Sequence, residues 1–567
     1  MSTNNFGHVN EFEVNSTDSL DTASDYAAFL ADKKRAAVFF MELTVRDRTE
    51  SGEIFIPSEP VNVLAVNETE GEGAYSPTSE TRFLSSRHWI GRPDDPIKPN
   101  SAPSRRLVAA FRVRRTTPYF PTEENRIQVI VANATLDNLR RDLDDLVYEK
   151  AIDATQAPIH HGPLDGPFSD AKLIAQPTIK GVETAGDDLR IQFSPPASQF
   201  ATIQLQSAKY TGKGGLGGDV ELKDTLKPFV FGYAFNMPAT LIDKQSLVYQ
   251  VHSRRINGID AVYEGALEIP FMQDYPTYES LLAATITAGH YATCRLFGVF
   301  RLASAPTKRI TASVFGDATA GSYVFNSGSI LLRALTLLAG TPTSRLALST
   351  FSKLSKAEIG WYNERKEYTL DQFINAILKP ENAVLGEMRN GLLGIIKHRP
   401  VEEQPARKTI RIRPTQIEGK ILQPSPIKKE TLFYGWNWSP FTSEDEFVED
   451  VLESDRGRFR DQALQIRATS GLISALRDDA VEAEKITWWS ETSIAAVQDQ
   501  ANVDMELFGR ARIPFEIQLG REGFEIRDGE VFELVVDRFG FGDGKKVVAL
   551  NFDEAARGET VTLEVMA

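Results

Sequence analysis

Short apolar runs alternating with polar residues fill most of this chain, and the spacing lengthens to a helical period in only a few windows. Ala36 to Val45 is the first convincing strand, and Arg126 to Ala132 alternates as another. From Lys172 to Ser313 the texture is strand and turn almost throughout, broken by a short helix expected over Tyr278 to Ala288. Leu136, Leu139, Leu143 and Leu146 recur at helical spacing within Leu136 to Lys150, which predicts a helix there. Ile330, Leu331, Ala334, Leu335 and Leu338 predict a helix over Ser329 to Ala339, closed by Gly340 with Pro342 beyond. Thr369-Leu370-Asp371-Gln372 opens a further helix that Pro380 stops, and Leu392 to Lys397 reads as a strand. Ser443-Glu444-Asp445-Glu446 is a capping box, predicting a helix into Val451. Ile494, Val497, Ala501, Met505 and Phe508 share one helix face ended by Gly509, followed by the alternating strand Ile513, Phe515, Ile517 and Leu519. Asp528-Gly529 and Asp543-Gly544 supply positive-φ residues for closing hairpins.

This order of elements predicts an α+β, β-rich multidomain chain. Residues 1–35 form a polar arm, rich in Ser, Thr, Asn and Asp, that only a partner would order. Residues 36–171 form a first β-rich domain carrying a loop-rich insertion at about 49–121, where Pro, Gly, Ser and Glu clusters separate short β-prone runs. A β-barrel or sandwich domain spans 172–315. An α/β module spans 316–430 and ends in a segment punctuated by Pro400, Pro405, Pro414, Pro424 and Pro426. An α+β closing domain spans 431–567.

With 567 residues and 42% hydrophobic content the chain can bury several cores, about three to five at ordinary domain size. Asp plus Glu number 78 against 63 Lys plus Arg, a formal charge of -15, which disfavours non-specific binding to nucleic acid or an anionic membrane. The single cysteine, Cys294, excludes an intrachain disulfide and a cysteine-based zinc site; a buried structural thiol is expected. Met1 to Ser16 lack a basic start and an apolar core, so no secretory signal is expected. No apolar run is long enough to span a bilayer, and even Ala376 to Ile396 is interrupted by Lys379, Pro380, Glu381, Glu387 and Arg389.

Candidate chemistry is sparse. Gly212, Gly214 and Gly217 satisfy a dinucleotide-binding spacing, but Pro228 and the β-rich run Phe229-Val230-Phe231 leave little room for the helix that must hold a pyrophosphate. The zinc-peptidase, Walker A and nucleophile-elbow motifs are absent. His160-His161 lacks a third ligand and reads as a pair of solvated loop histidines. His88 beside Trp89 and Asp94-Asp95 reads as loop packing. Glu444, Asp445, Glu446, Glu449 and Asp450 could hide a glycosidase pair, though a solvated, capping helix start explains the run. Trp488 and Trp489 with Tyr434, Trp436 and Trp438 could stack on sugars, or anchor a core or subunit interface. No residue is assigned a catalytic, cofactor-binding or metal-ligating role.

The glycine-rich stretch has a better explanation. Residues 211–238 resemble a signature of tail-tip hub proteins from long-tailed bacteriophages and related prophages, in which a Gly-Leu-x-Gly-rich turn leads into a Lys-Pro-x-x-x-Gly-x-x-x-Asn-x-Pro strand. Lys227, Pro228, Gly232, Asn236 and Pro238 match it. The resemblance continues in order through Leu247 to His252, Ile259 to Gly265, Asp274-Tyr275, Tyr291-Ala292-Thr293 and Phe300 to Pro306. It returns at Tyr434-Gly435-Trp436-Asn437-Trp438 and over Phe524 to Asp553, whereas the N-terminal arm and Ser51 to Arg106 depart from the pattern. It implies tube-like β-domains with smaller α/β modules in a non-enzymatic structural hub that joins the tail tube to distal tip parts and encloses the DNA-ejection channel. It further implies a virion tail-tip location after assembly in the host cytoplasm and a homotrimer. The implied neighbours are a distal tail protein and central fibre or tip proteins; DNA passes only as cargo, and no cofactor is involved. A tail-associated cell-wall or polysaccharide hydrolase and a receptor-binding tip module are the alternatives.

Overall fold

The computed structural model describes residues 28, 36–47, 79–105, 107, 112–118, 128–131, 133–148, 150–152, 155–194, 200–363, 366–388, 391–419, 425–510, 512–555 and 560–566. The expected N-terminal arm lies almost wholly outside the described residues, as does much of the expected insertion. What is described is β-rich α+β, in several sheets with a few short helices.

Period-two patterning decides the first sheet. The Ala37–Asp47 strand pairs antiparallel with Ser79–Ser85 and with Ile159–Pro163. Its alternate residues Phe39, Met41, Leu43 and Val45 enter one core cluster, while Val38 and Phe40 enter another with Trp89 and Phe168. Both faces of that strand are therefore buried.

The signature strand, Phe229–Pro238, sits inside a five-stranded sheet whose spatial order is Leu267–Ile269, Ile256–Glu264, Ile310–Asp317, Phe229–Pro238 and Gly360–Asn363. A second five-stranded sheet contains Val248–Gln250, Tyr291–Cys294 and Val299–Leu302. Phe231 and Val314 from the first share a core with Tyr249, Tyr291 and Phe300 from the second. Helices Ser327–Leu337 and Leu370–Leu378 bury their apolar faces in the same core. Both have reciprocal caps: Asn326 Oδ1 accepts from Ser329 N at 3.0 Å, and Thr369 Oγ1 accepts from Gln372 N at 3.2 Å.

The closing part builds an eight-stranded sheet in which Phe541–Ala555 is central, flanked by Val531–Val536 and Thr560–Met566. Arg112–Thr116 also pairs with Phe541–Ala555, and Gln128–Val131 pairs with Arg112–Thr116. The proline-rich segment crosses this sheet, contributing Thr409–Arg411 at one end of the strand order and Ile417–Gly419 at the other. Beside it, Ile427–Tyr434 is the middle strand of a three-stranded sheet covered by helix Ile494–Phe508.

Three expectations need correction. Leu136 to Lys150 is not a helix: Ala134–Asp137 is a strand that sets Leu136 opposite Leu189, and only Asp145–Tyr148 is helical. Arg141 takes a φ of 56°, and Asn138 ties the turn by accepting from Leu143 N at 3.0 Å, which leaves Leu139 in solvent. The Ser443 capping box holds a single 3-10 turn, Glu444–Glu446, because Phe447 and Val451 turn inward against Phe441 and Phe459; the α-helix starts at Glu453. Finally, Gly544 takes the expected positive φ, 85°, but at an irregularity within the long Phe541–Ala555 strand, and the hairpin turns at Phe539 and Gly540, with φ of 56° and 75°.

Candidate functional site

Asn236 of the signature strand meets the second block of sequence resemblance at one buried joint, and Gly232 sets how closely the same strand approaches Gly360–Asn363. Gly232 stands opposite Gly360 in the register of their paired strands. A Cβ on Gly232, whose φ is +62°, would lie 1.8 Å from the Ile359 carbonyl oxygen, and one on Gly360 would lie 1.7 Å from that of Tyr233. Two glycines are what let these backbones approach. Four residues on, the strand bulges between Ala234 and Met237, and Asn236 enters the left-handed region at φ 49°, a conformation that Asn tolerates better than most residues.

The bulge aims the Asn236 amide into the protein. Its Nδ2 donates to Asn437 Oδ1 at 2.8 Å and to the Ser439 carbonyl at 2.9 Å, both buried. Asn437 spends its own amide on the carbonyls of Phe459 (2.9 Å) and Asp461 (3.0 Å), while its Oδ1 also accepts from Ser439 N. Arg309 reaches the same Ser439 carbonyl at 2.9 Å. Around this polar knot lies an aromatic cluster in which Trp438 stacks on Trp488 at 5.4 Å and 7° and packs edge-on against Trp361 and Tyr362. Trp489 and Trp438 are buried, and Trp488 donates its ring N–H to the Ala376 carbonyl at 3.0 Å. Trp438 and Trp489 thus anchor the core, with Trp436 and Trp488 packed half-buried beside them.

His252, at the end of a signature run, is fully buried. Its Nδ1 accepts from Val230 N at 2.9 Å, and its Nε2 faces Asp317 Oδ1 at 3.6 Å. Asp317 pairs in turn with Arg333 on the Ser327–Leu337 helix at 2.7 Å. Burial pushes the imidazole pKa down against the pull of Asp317, so the ring stays neutral. The Asp317–Arg333 pair straps sheet to helix, with the neutral His252 ring packed beside it. Nothing in the spacing of these residues announces it.

The remaining candidates separate. His160 and His161 lie on the strand Ile159–Pro163, not in a solvated loop: His161 stacks on Phe524 at 4.7 Å, and His160 packs on Phe168 with its pKa lowered by burial to about 4. Trp89 is buried, with its ring N–H on the Gly166 carbonyl at 3.1 Å, and Asp95 caps a turn by accepting from Ile97 N and Lys98 N, while His88 is exposed. Glu446 accepts from Thr442 N at 2.8 Å and Ser443 N at 3.2 Å, and Glu444 pairs with Arg456 at 3.0 Å. The Gly212 to Gly217 loop is followed by 3-10 turns and the Phe229–Pro238 strand, without an intervening α-helix. Cys294 is a buried free thiol whose pKa burial raises. Among the described residues no cluster of three or more His, Cys, Asp or Glu could hold a metal ion.

No protein-family model matches the chain, and no curated protein matches it. Among solved structures it is similar to a chain from the virion of a native gene transfer agent particle, with a TM-score of 0.37 and 11% identity over 61% of this chain and 84% of that one. It is also similar to the tail protein from Neisseria meningitidis MC58, with a TM-score of 0.31 and 9% identity over 82% of this chain and 94% of that one. The 43 kDa tail protein of prophage MuSo2 from Shewanella oneidensis gives a TM-score of 0.30 and 8% identity over 82% and 95%. These similar chains are virion and tail proteins.

Proposed function

We propose that the protein is the structural hub of a phage tail tip: a homotrimeric ring that joins the tail tube to distal tip parts and encloses the channel through which DNA leaves. The supporting observation is the joint itself. The Lys227 to Pro238 strand and the Tyr434 to Trp438 strand end, which carry the hub resemblance separately in sequence, lock together through Asn236 and Asn437 at 2.8 Å. Asn236 and Asn437 thus hold two β units in fixed orientation, as a ring component under load requires, and they face each other across a buried joint. The net charge of -15 suits a channel through which DNA slides without being gripped. Among the described residues no helix is long and apolar enough to cross a membrane. Incubation of the purified protein with peptidoglycan and with host surface polysaccharide tests the reading. The hub releases no soluble fragments; catalytic release would instead establish a tail-associated hydrolase.

A further inference from the structure

The closing sheet carries a groove of about 600 Å³ that the hub joint does not use. Phe515 and Phe541 form its buried floor, and Ile513 and Phe539 stand in it 39% and 45% exposed. Its remaining lining is Val401 with four cationic side chains, Arg510, Arg512, Lys545 and Lys546, and one carboxylate, Glu402. Glu402 is shared between Arg512 at 3.1 Å and Arg510 at 3.6 Å. Lys546 donates to the carbonyls of Glu402 and Gln404, Arg510 also faces Glu506, and Lys545 lies over the Phe541 ring, so cations still outnumber carboxylates at the rim. An apolar floor with a basic rim calls for an apolar knob ringed by carboxylates.

The same chain presents one. Leu452 is 68% exposed, and Glu449, Asp450, Glu453 and Asp455 around it are exposed as well, Glu453 being paired with Arg460 at 2.9 Å. The knob is held still: Val451 beside it is buried with Phe441, Phe447 and Phe459, and Arg456 donates to the Val451 carbonyl at 3.2 Å. A preorganised knob loses little freedom on docking. Its core cluster and that of the groove share no residue.

We propose that the groove at Phe539 docks a second copy of this chain, which inserts Leu452 and its surrounding carboxylates. Each copy then offers one knob and one groove, a head-to-tail contact that closes into a ring when the rotation permits. The proposal rests on the hub reading and adds to it the surface by which copies meet.

The test uses the full chain and sedimentation velocity across micromolar concentrations. Arg510→Glu with Lys545→Glu, or Glu449→Lys with Asp450→Lys, each places like charges across the contact and weakens self-association about tenfold or more. The four substitutions together restore opposite charges and recover it; unchanged thermal melting of each exposed-residue variant shows that folding is intact. Self-association that none of the variants alters overturns the docking surface while leaving the hub reading in place. A monomer at every concentration and in assembled particles overturns both. Swap-sensitive association in a protein that degrades peptidoglycan supports the contact and removes the hub. A single-stranded oligonucleotide whose binding is lost in Arg510→Glu with Lys545→Glu, with self-association unchanged, assigns the groove to nucleic acid and overturns the proposal.

Discussion

Asn236 and Asn437, 201 positions apart in the chain, meet side chain to side chain at 2.8 Å in a buried joint. Removing one partner leaves buried polar atoms of the other strand underserved. Asn236→Ala is expected to destabilise the protein by about 1–3 kcal/mol. The double variant Asn236→Ala with Asn437→Ala should show a coupling of about 0.5–3 kcal/mol in a double-mutant cycle read by denaturant unfolding. Strict additivity would mean that the two residues do not act as one joint.

The glycine at the head of the same strand gives a sharper contrast. At Gly232 a methyl group would meet the Ile359 carbonyl at 1.8 Å, whereas at Gly186, with a similar φ of +69°, nothing lies within 4 Å. Gly186→Ala therefore carries only the backbone penalty, about 1 kcal/mol. Gly232→Ala adds a backbone clash and should cost on the order of 3 kcal/mol or more, or abolish soluble expression. Equal melting temperatures for the two variants would contradict the close approach.

Local rules were legible where they were self-contained. The helix Ile494–Phe508 with its terminating Gly509, the helix opened at Thr369, and the strand Pro514–Leu519 follow from periodicity and capping chemistry alone, whereas the Ser327–Leu337 helix starts two residues ahead of the expected Ser329, at an Asn326 cap that the periodicity does not show. The helix expected from Leu136 failed because a long-range partner, Leu189, took that leucine into a strand before its neighbours could complete a turn. Asp543-Gly544 has the composition of a turn, yet cross-strand pairing of Lys545 with Leu534 keeps it inside the sheet. The resemblance pointed to Asn236 and Asn437 separately. That they touch depends on how sheets stack, which no local pattern encodes, and the Asp317–Arg333 strap was hidden for the same reason.

A buried charge cluster predicts a pH dependence. Lys485 Nζ lies 2.6 Å from Asp504 Oδ2 and 3.4 Å from Glu430 Oε1, and it donates to Asn382 Oδ1 at 3.1 Å. Burial pushes Glu430 up to about 8, with Lys485 opposing and Asp504 assisting. The unfolded chain releases this proton near 4.5, so between there and about 8 the native state holds the extra proton and stability falls as pH rises. Glu430→Gln should remove a slope of up to about 1.4 kcal/mol per pH unit across that window. Identical slopes in denaturation series of the two proteins would show that Glu430 is not protonated in the fold.

Trp438 tests whether the tryptophan cluster is an anchor or a ligand platform. Stacked on Trp488 and buried, it should cost about 3–5 kcal/mol when replaced by alanine. Host glycans should leave the tryptophan emission of the unaltered protein unchanged. A saturable glycan-dependent emission change with little loss of stability in Trp438→Ala would reverse that assignment.

The central claim is that this chain forms a ring around a DNA path. Electron cryomicroscopy of the purified full-length protein, and of the assembled particle carrying it, measures that directly. A three-fold ring at the end of the tail tube, with an axial opening and with the Asn236–Asn437 joint intact in each copy, is the expected result. A single copy away from the tail axis, or a location elsewhere in the virion, would contradict it.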